Sequence, residues 1–173
     1  SAAPAVAITL LVAVPRGERM DWLVQKTTEL GVARIVPVSS ERSVARPEAG
    51  SGRRPRWEKI AREAARQCGR ADVPHIDEPT PLEAALADPV LPARRFALWE
   101  GERGRSLGEA LIADAATPTA ILVGPEGGFA AEEVAEATRA GFAAVGLGPR
   151  ILRVETAAIV AVALAQGAAG GLG

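Results

Sequence analysis

Apolar residues run from Ala5 to Val14, broken only by Thr9, and stop at Pro15-Arg16-Gly17. An unbroken run of this kind, with Val, Ile and Thr in it, predicts a central strand covered on both faces. The period then changes: Met20, Leu23, Val24, Thr27 and Leu30 recur at helical spacing, and Gly31 suits the helix end. Arg34 to Val38 returns to strand, completing β-α-β. From Glu41 to about Pro55 the chain turns polar and rich in Gly and Pro, which predicts a long loop. A helix follows, with Trp57 as a packing residue at its start. Further on, His75 opens a short strand, Pro81 to Asp88 reads as a short helix, and Arg95 to Glu100 as a strand. Ser106 and Glu109 have capping-box spacing and open a helix to about Ala116. Thr119 to Val123 is a buried strand, Ala131 to Ala140 a helix, Ala144 to Leu147 a short strand, and Thr156 to Gln166 an apolar helix. About six strands alternating with six helices predict an α/β fold: a mostly parallel sheet with helices on both faces.

Composition sharpens this in three places. With 173 residues, 48% of them hydrophobic, the chain can bury one substantial core, and with only 3% aromatic residues Ala, Val and Leu must fill it. Ala2 to Val14 is too short to span a bilayer and has no basic residue ahead of it, so a soluble, cytoplasmic protein is expected. The single cysteine, Cys68, forms no internal disulfide and reads as a helical filler. The single histidine, His75, argues against a His-based metal site or triad, and no metal is expected.

Net charge is −1 overall, yet between Arg42 and Arg70 nine cations face three acids, an excess of six. That is the electrostatic footprint of a phosphate-backbone contact, with Arg42, Arg46, Arg53, Arg54, Arg62 and Arg66 as candidates. A solvated helix face with pairs such as Lys59–Glu63 explains the same pattern.

The densest chemistry lies late. Gly124-Pro125-Glu126-Gly127-Gly128 ends one strand and Gly146-Leu147-Gly148-Pro149-Arg150 ends the next. Glycines at a strand's carboxyl end allow positive φ and let backbone N–H groups approach a ligand, and open α/β sheets bind ligands at that edge. Either turn alone is ordinary strand-to-helix punctuation. Together, with Glu126, Arg150, Arg153 and Glu155 beside them, they suggest a site. A dinucleotide fingerprint after the first strand and a P-loop lysine are both missing.

The blocks GPEGGF (Gly124 to Phe129), LGPRILR (Leu147 to Arg153) and ETAA (Glu155 to Ala158) closely resemble the RsmE family. So do Arg19-Met20-Asp21-Trp22, Gln25-Lys26, Glu29-Leu30-Gly31, Glu41-Arg42-Ser43-Val44 and 61–67 (AREAARQ). These are small-subunit ribosomal RNA methyltransferases of the SPOUT class, acting on N3 of a uridine. The resemblance implies S-adenosyl-L-methionine as cofactor, a C-terminal trefoil knot after Leu147, and a homodimer to which the last helix contributes; as a sequence feature that helix equally suits burial within one subunit. It also places the cofactor among Leu98, Trp99, Glu100, Val123, Gly124, Pro125, Gly127, Gly128, Leu147, Gly148, Ile151, Leu152, Thr156 and Ala157, and gives the arginine cluster to RNA. Family members carry an N-terminal PUA-like barrel that this sequence does not include. Residues 1–4 are therefore read as linker or expression remnant and 5–170 as the methyltransferase domain, expected to bind cofactor but to methylate RNA weakly or not at all by itself.

Uracil N3 holds its proton at neutral pH, so Glu126 is a candidate to orient or remove it, and Arg153 or Arg150 to stabilise the anion or grip phosphate. Alternatively, Glu126 with an arginine, or Arg153 with Glu155, braces the loops. Two other functions stay open: a SPOUT enzyme acting on another RNA position such as a ribose 2′-hydroxyl, and a non-catalytic dimeric RNA-binding module.

Overall fold

The computed structural model describes residues 3–40 and 52–173. In chain order the elements are β1 (Ile8–Ala13), α1 (Arg19–Glu29), β2 (Arg34–Ser39), α2 (Arg53–Cys68), β3 (His75–Ile76), β4 (Thr80–Pro81), α3 (Leu82–Leu86), β5 (Arg94–Leu98), α4 (Leu107–Ala110), β6 (Thr119–Val123), α5 (Ala131–Arg139), β7 (Ala143–Val145) and α6 (Val154–Ala168). The strands form one sheet in the order β3-β2-β1-β6-β5-β7, with β4 pairing the end of β2. All pairings are parallel, so every carboxyl end lies along one edge.

The unbroken apolar run of β1 now has its reason. Side chains alternate across a strand. Ile8, Leu10 and Val12 join the core beneath α1, α2, α4 and α6, while Leu11 and Ala13 join the core beneath α3 and α5. Both faces are covered, as the sequence predicts. α1 ends at Glu29 with Leu30 as its C-cap, followed by Gly31 at φ +93°, and Trp57 is 1% exposed in the first core.

Several boundaries differ from expectation: β5 ends at Leu98 rather than Glu100, and β7 at Val145 rather than Leu147. α2 starts at Arg53, not beyond Pro55, because the third residue of a helix has no intrahelical partner for its N–H and proline loses nothing there. α4 has the expected cap, with Ser106 Oγ accepting from the Glu109 N–H at 3.1 Å, but stops at Ala110. The Arg94 guanidinium takes the carbonyls of Ala110, Leu111 and Ala113, ending the helix from outside; burial pulls the Arg94 pKa down. β4 is an unforeseen two-residue pairing.

At the opposite end of the sheet, Arg34 binds Asp77 at 2.6 Å and Asp88 at 2.8 Å. Asp88 titrates below the ordinary carboxylate value, first because the Val90 N–H donates to it and then because of Arg34. A depressed carboxyl stabilises the fold above its unfolded value, near pH 4, and loses that contribution as pH falls through the folded value. Asp88→Asn is therefore expected to shallow the fall of Tm below about pH 4, followed by circular dichroism. An unchanged acid limb would mean that Asp88 titrates alike in the folded and unfolded chains.

Candidate active site

β6, β5 and β7 are neighbours, and each runs out into a glycine-bearing turn at the same edge. The turns and the start of α6 enclose a cavity of about 280 Å³, close to the lower bound of roughly 300 Å³ for small-molecule sites. Leu98, Trp99 and Glu100 line it from the end of β5; Val123, Gly124, Pro125, Gly127 and Gly128 from β6; Leu147 and Gly148 from β7; and Leu152 and Ala157 from the approach to α6 and its first turn. The wall also includes Arg150, expected as a charge-bearing group, and three residues not singled out beforehand, Gly101, Phe129 and Val154. Phe129 ends the GPEGGF block, which was the available signal. Two expected residues fall outside the wall. Ile151 is 78% exposed, and Thr156 lies on the exposed side of the first turn of α6.

The glycines divide into two kinds. Gly128 at φ +76° and Gly148 at φ +89° supply left-handed turns, the former closed by the Gly128 N–H donating to Pro125 O at 2.9 Å. Gly124 and Gly146 are needed for space. A Cβ on Gly124 would lie 2.9 Å from the Phe129 ring, and one on Gly146 2.8 Å from the carbonyl oxygen of Glu102. Gly124 therefore makes room for a core phenyl ring, where the sequence suggested close approach to a ligand.

The charged candidates separate as well. Glu126 is not part of the cavity wall: its carboxylate lies 3.7 Å from the Arg19 guanidinium at the start of α1, and both oxygens are shielded from solvent without a hydrogen bond. Arg150 is exposed on the cavity rim and forms no ion pair among the described residues. Arg153 is the exposed N-cap residue of α6. The expected Arg153–Glu155 brace is not formed: Glu155 is buried, with Oε1 unbonded.

Residues 2–166 match the family model of the RNA methyltransferase domain. The chain belongs to this family. It is 34% identical over 158 residues to the ribosomal RNA small subunit methyltransferase E of Bacillus subtilis, covering 86% of this chain and 61% of that protein. The chain thus spans about three fifths of that relative's length. The crystal structure of the Neisseria gonorrhoeae methyltransferase E, bound to S-adenosyl methionine, superposes with TM-score 0.84 at 36% identity, covering 95% of this chain and 67% of that one. A Legionella pneumophila methyltransferase in complex with the same cofactor gives TM-score 0.80 at 31% identity over 96% of this chain and 68% of its own.

In this RNA methyltransferase domain the arginine cluster is less free than its sequence suggests. Arg42 and Arg46 lie outside the described residues. Arg53 sits over the Trp57 ring, 5.2 Å from its centre. Arg54 donates to Ile76 O at 2.7 Å and reaches Glu58 and Glu78. Arg56 is held by Asp21 at 2.6 Å, which raises its pKa, and Arg70 bonds the carbonyls of Thr28 and Val32 and the Asp72 carboxylate. Arg62 and Arg66 remain on the exposed side of α2 without an ion pair among the described residues. Among those residues no group of three or more His, Cys, Asp and Glu is placed to hold a metal, and no helix is long and apolar enough to cross a membrane.

Proposed function

We propose that this chain is an S-adenosyl-L-methionine-dependent methyltransferase domain that methylates N3 of a uridine in small-subunit ribosomal RNA. The observation that carries this reading is the convergence of three parallel strand ends on one cavity walled by glycine and aliphatic residues. Two relatives of the same fold, above 30% identity, hold that cofactor. The cavity suits it: Leu98, Val123, Leu147 and Leu152 offer an apolar slot for an adenine, and the turns around Gly128 and Gly148 leave main chain uncovered at its edge. Bound there, the cofactor supplies an electrophilic methyl group on a sulfonium leaving group, so orientation contributes much of the rate without a metal.

The chain's own residues then have distinct tasks. Arg150, on the rim, meets the negative charge that develops on the uracil as N3 gives its proton to water and bonds to the methyl carbon. Glu126, paired with Arg19, holds the 124–128 turn in place and acts through it. Arg153 and the exposed Arg62 and Arg66 meet RNA phosphates, and a small-subunit ribosomal RNA substrate supports a cytoplasmic protein. The partly exposed Ile159, Val160 and Leu164 on the outer side of α6 suit a homodimer contact. The 99–107 segment bonded around Val145 and Gly146 suits a knot in which the chain after Leu147 passes through that loop.

Calorimetry with S-adenosylmethionine, followed by nucleoside analysis and a tritiated-methyl assay on small-subunit particles lacking the modification, run on this chain and on a form carrying an added N-terminal PUA-like barrel, tests the reading. Absence of cofactor binding, or label on a ribose, would overturn it. Arg150→Ala is expected to lower kcat/KM about 100-fold while cofactor affinity stays within a few-fold. Glu126→Gln should produce a smaller loss, matched by Arg19→Ala.

A further inference from the structure

Aromatic side chains are scarce here, three Trp and three Phe in 173 residues, and two of the tryptophans are left at the surface. Trp99 is 40% exposed and stands in the cavity wall. Burying an indole is strongly favourable, so a wall position that leaves it open points to a partner arriving from outside. Its setting is fixed. The main-chain N–H of Trp99 donates to Val145 O at 3.0 Å, and its main-chain carbonyl accepts from the Glu102 N–H at 3.1 Å. Gly101 packs against the benzo ring so closely that a Cβ there would lie 2.9 Å from Cζ2. The other aromatic residue of the wall, Phe129, is 7% exposed and occupied with Gly124, which leaves Trp99 as the aromatic surface open to an entering ring.

Resting on the methyltransferase reading above, we propose that the Trp99 indole is the stacking platform for the acceptor base, while the main chain of 98–101 belongs to the cofactor side. Trp99 is the exposed aromatic residue of the wall, and Arg150, exposed and without an ion pair among the described residues, lines the same cavity. An aromatic face beside a cation is the pairing that holds an unstacked nucleotide. The aliphatic and glycine residues of the wall suit the adenosyl group without it.

The test uses the whole chain in a Trp22→Phe background, saturated with S-adenosylhomocysteine, so that emission comes from Trp99 and from Trp57, which is buried. Titration with uridine 5′-monophosphate and with a short uridine-bearing RNA is expected to quench the Trp99 emission. Trp99→Ala should abolish the quenching and weaken RNA binding by about 5- to 150-fold, with Trp99→Phe keeping most of the affinity. Because Trp99 also lines the cofactor cavity, some loss of calorimetric affinity for S-adenosylmethionine is expected in Trp99→Ala, but several-fold smaller than the loss of RNA affinity. No quenching in the parent, an equal loss of cofactor affinity in Trp99→Ala, or a variant altered only in its sedimentation would each overturn the proposal. If the parent binds uridine with Trp99 quenched but binds no S-adenosylmethionine, the cofactor reading fails and the stacking assignment survives.

Discussion

Replacing Gln166 by leucine is expected to cost about 3–5 kcal/mol and to lower Tm by roughly 10 °C. Gln166 lies on α6 and is 2% exposed. Its Oε1 accepts from the N–H groups of Ala5 and Val6 at 3.1 and 3.3 Å, and its Nε2 donates to Val6 O at 3.0 Å and Gly31 O at 3.3 Å. One side-chain amide thus serves the backbone ahead of β1 and the end of α1 together. Leucine has nearly the same volume, so little cavity is created and the loss isolates the polar effect. Each buried backbone group left unpaired costs about 1–3 kcal/mol. Glutamate, which keeps the acceptor but removes the donor and adds buried charge, should also destabilise. Urea denaturation of both variants gives the comparison. A loss below about 1 kcal/mol for Gln166→Leu would mean that water or a local shift satisfies these groups.

Gln166 also shows where reading from sequence stops. The runs of β1 and β6 were legible because burial on both faces leaves no polar alternation to interpret. A parallel sheet then places all carboxyl ends on one edge, so both glycine turns were expected there; that β5 stands between β6 and β7, adding its own turn to the site, was not legible. Features set by contacts distant in the chain were not legible. The bond from Gln166 to Ala5 crosses 161 positions, and the Arg94 guanidinium that ends α4 comes from β5. Glu126 was visible as a charge among glycines, but its partner Arg19 belongs to the first helix, so its direction was open. Ile151 and Thr156 sit within a recognisable block, and only the path of the chain into α6 turns them outward. Glycine carries one letter for two different needs: Gly128 is required by its φ, Gly124 by the ring it adjoins.

Gly146→Ala is expected to have the larger functional effect: loss of measurable S-adenosylmethionine binding, with a fall in Tm of roughly 5 °C from overpacking of about 1–3 kcal/mol. Gly146 has no positive φ, so the demand is purely steric. Its N–H donates to Arg105 O at 2.9 Å, and its carbonyl accepts from the Leu107 N–H at 2.8 Å, stitching the end of β7 beneath the loop that follows β5. The added methyl would stand 2.8 Å from the Glu102 carbonyl oxygen, a main-chain atom unable to rotate aside as a side-chain tip does. Relief requires the 99–106 loop to lift or Gly146 to drop, and either movement displaces Trp99 and Gly101 relative to Leu147 and Gly148, all of which line the cavity. Gly124→Ala makes the informative control, because its clash is with the Phe129 ring, which can tilt within the second core. That variant should lose stability comparably and keep part of its cofactor affinity. Calorimetry on both, with Tm measured on the same samples, decides the matter: if Gly146→Ala bound the cofactor as tightly as the parent, the crossing of these two segments would not be what shapes the cavity.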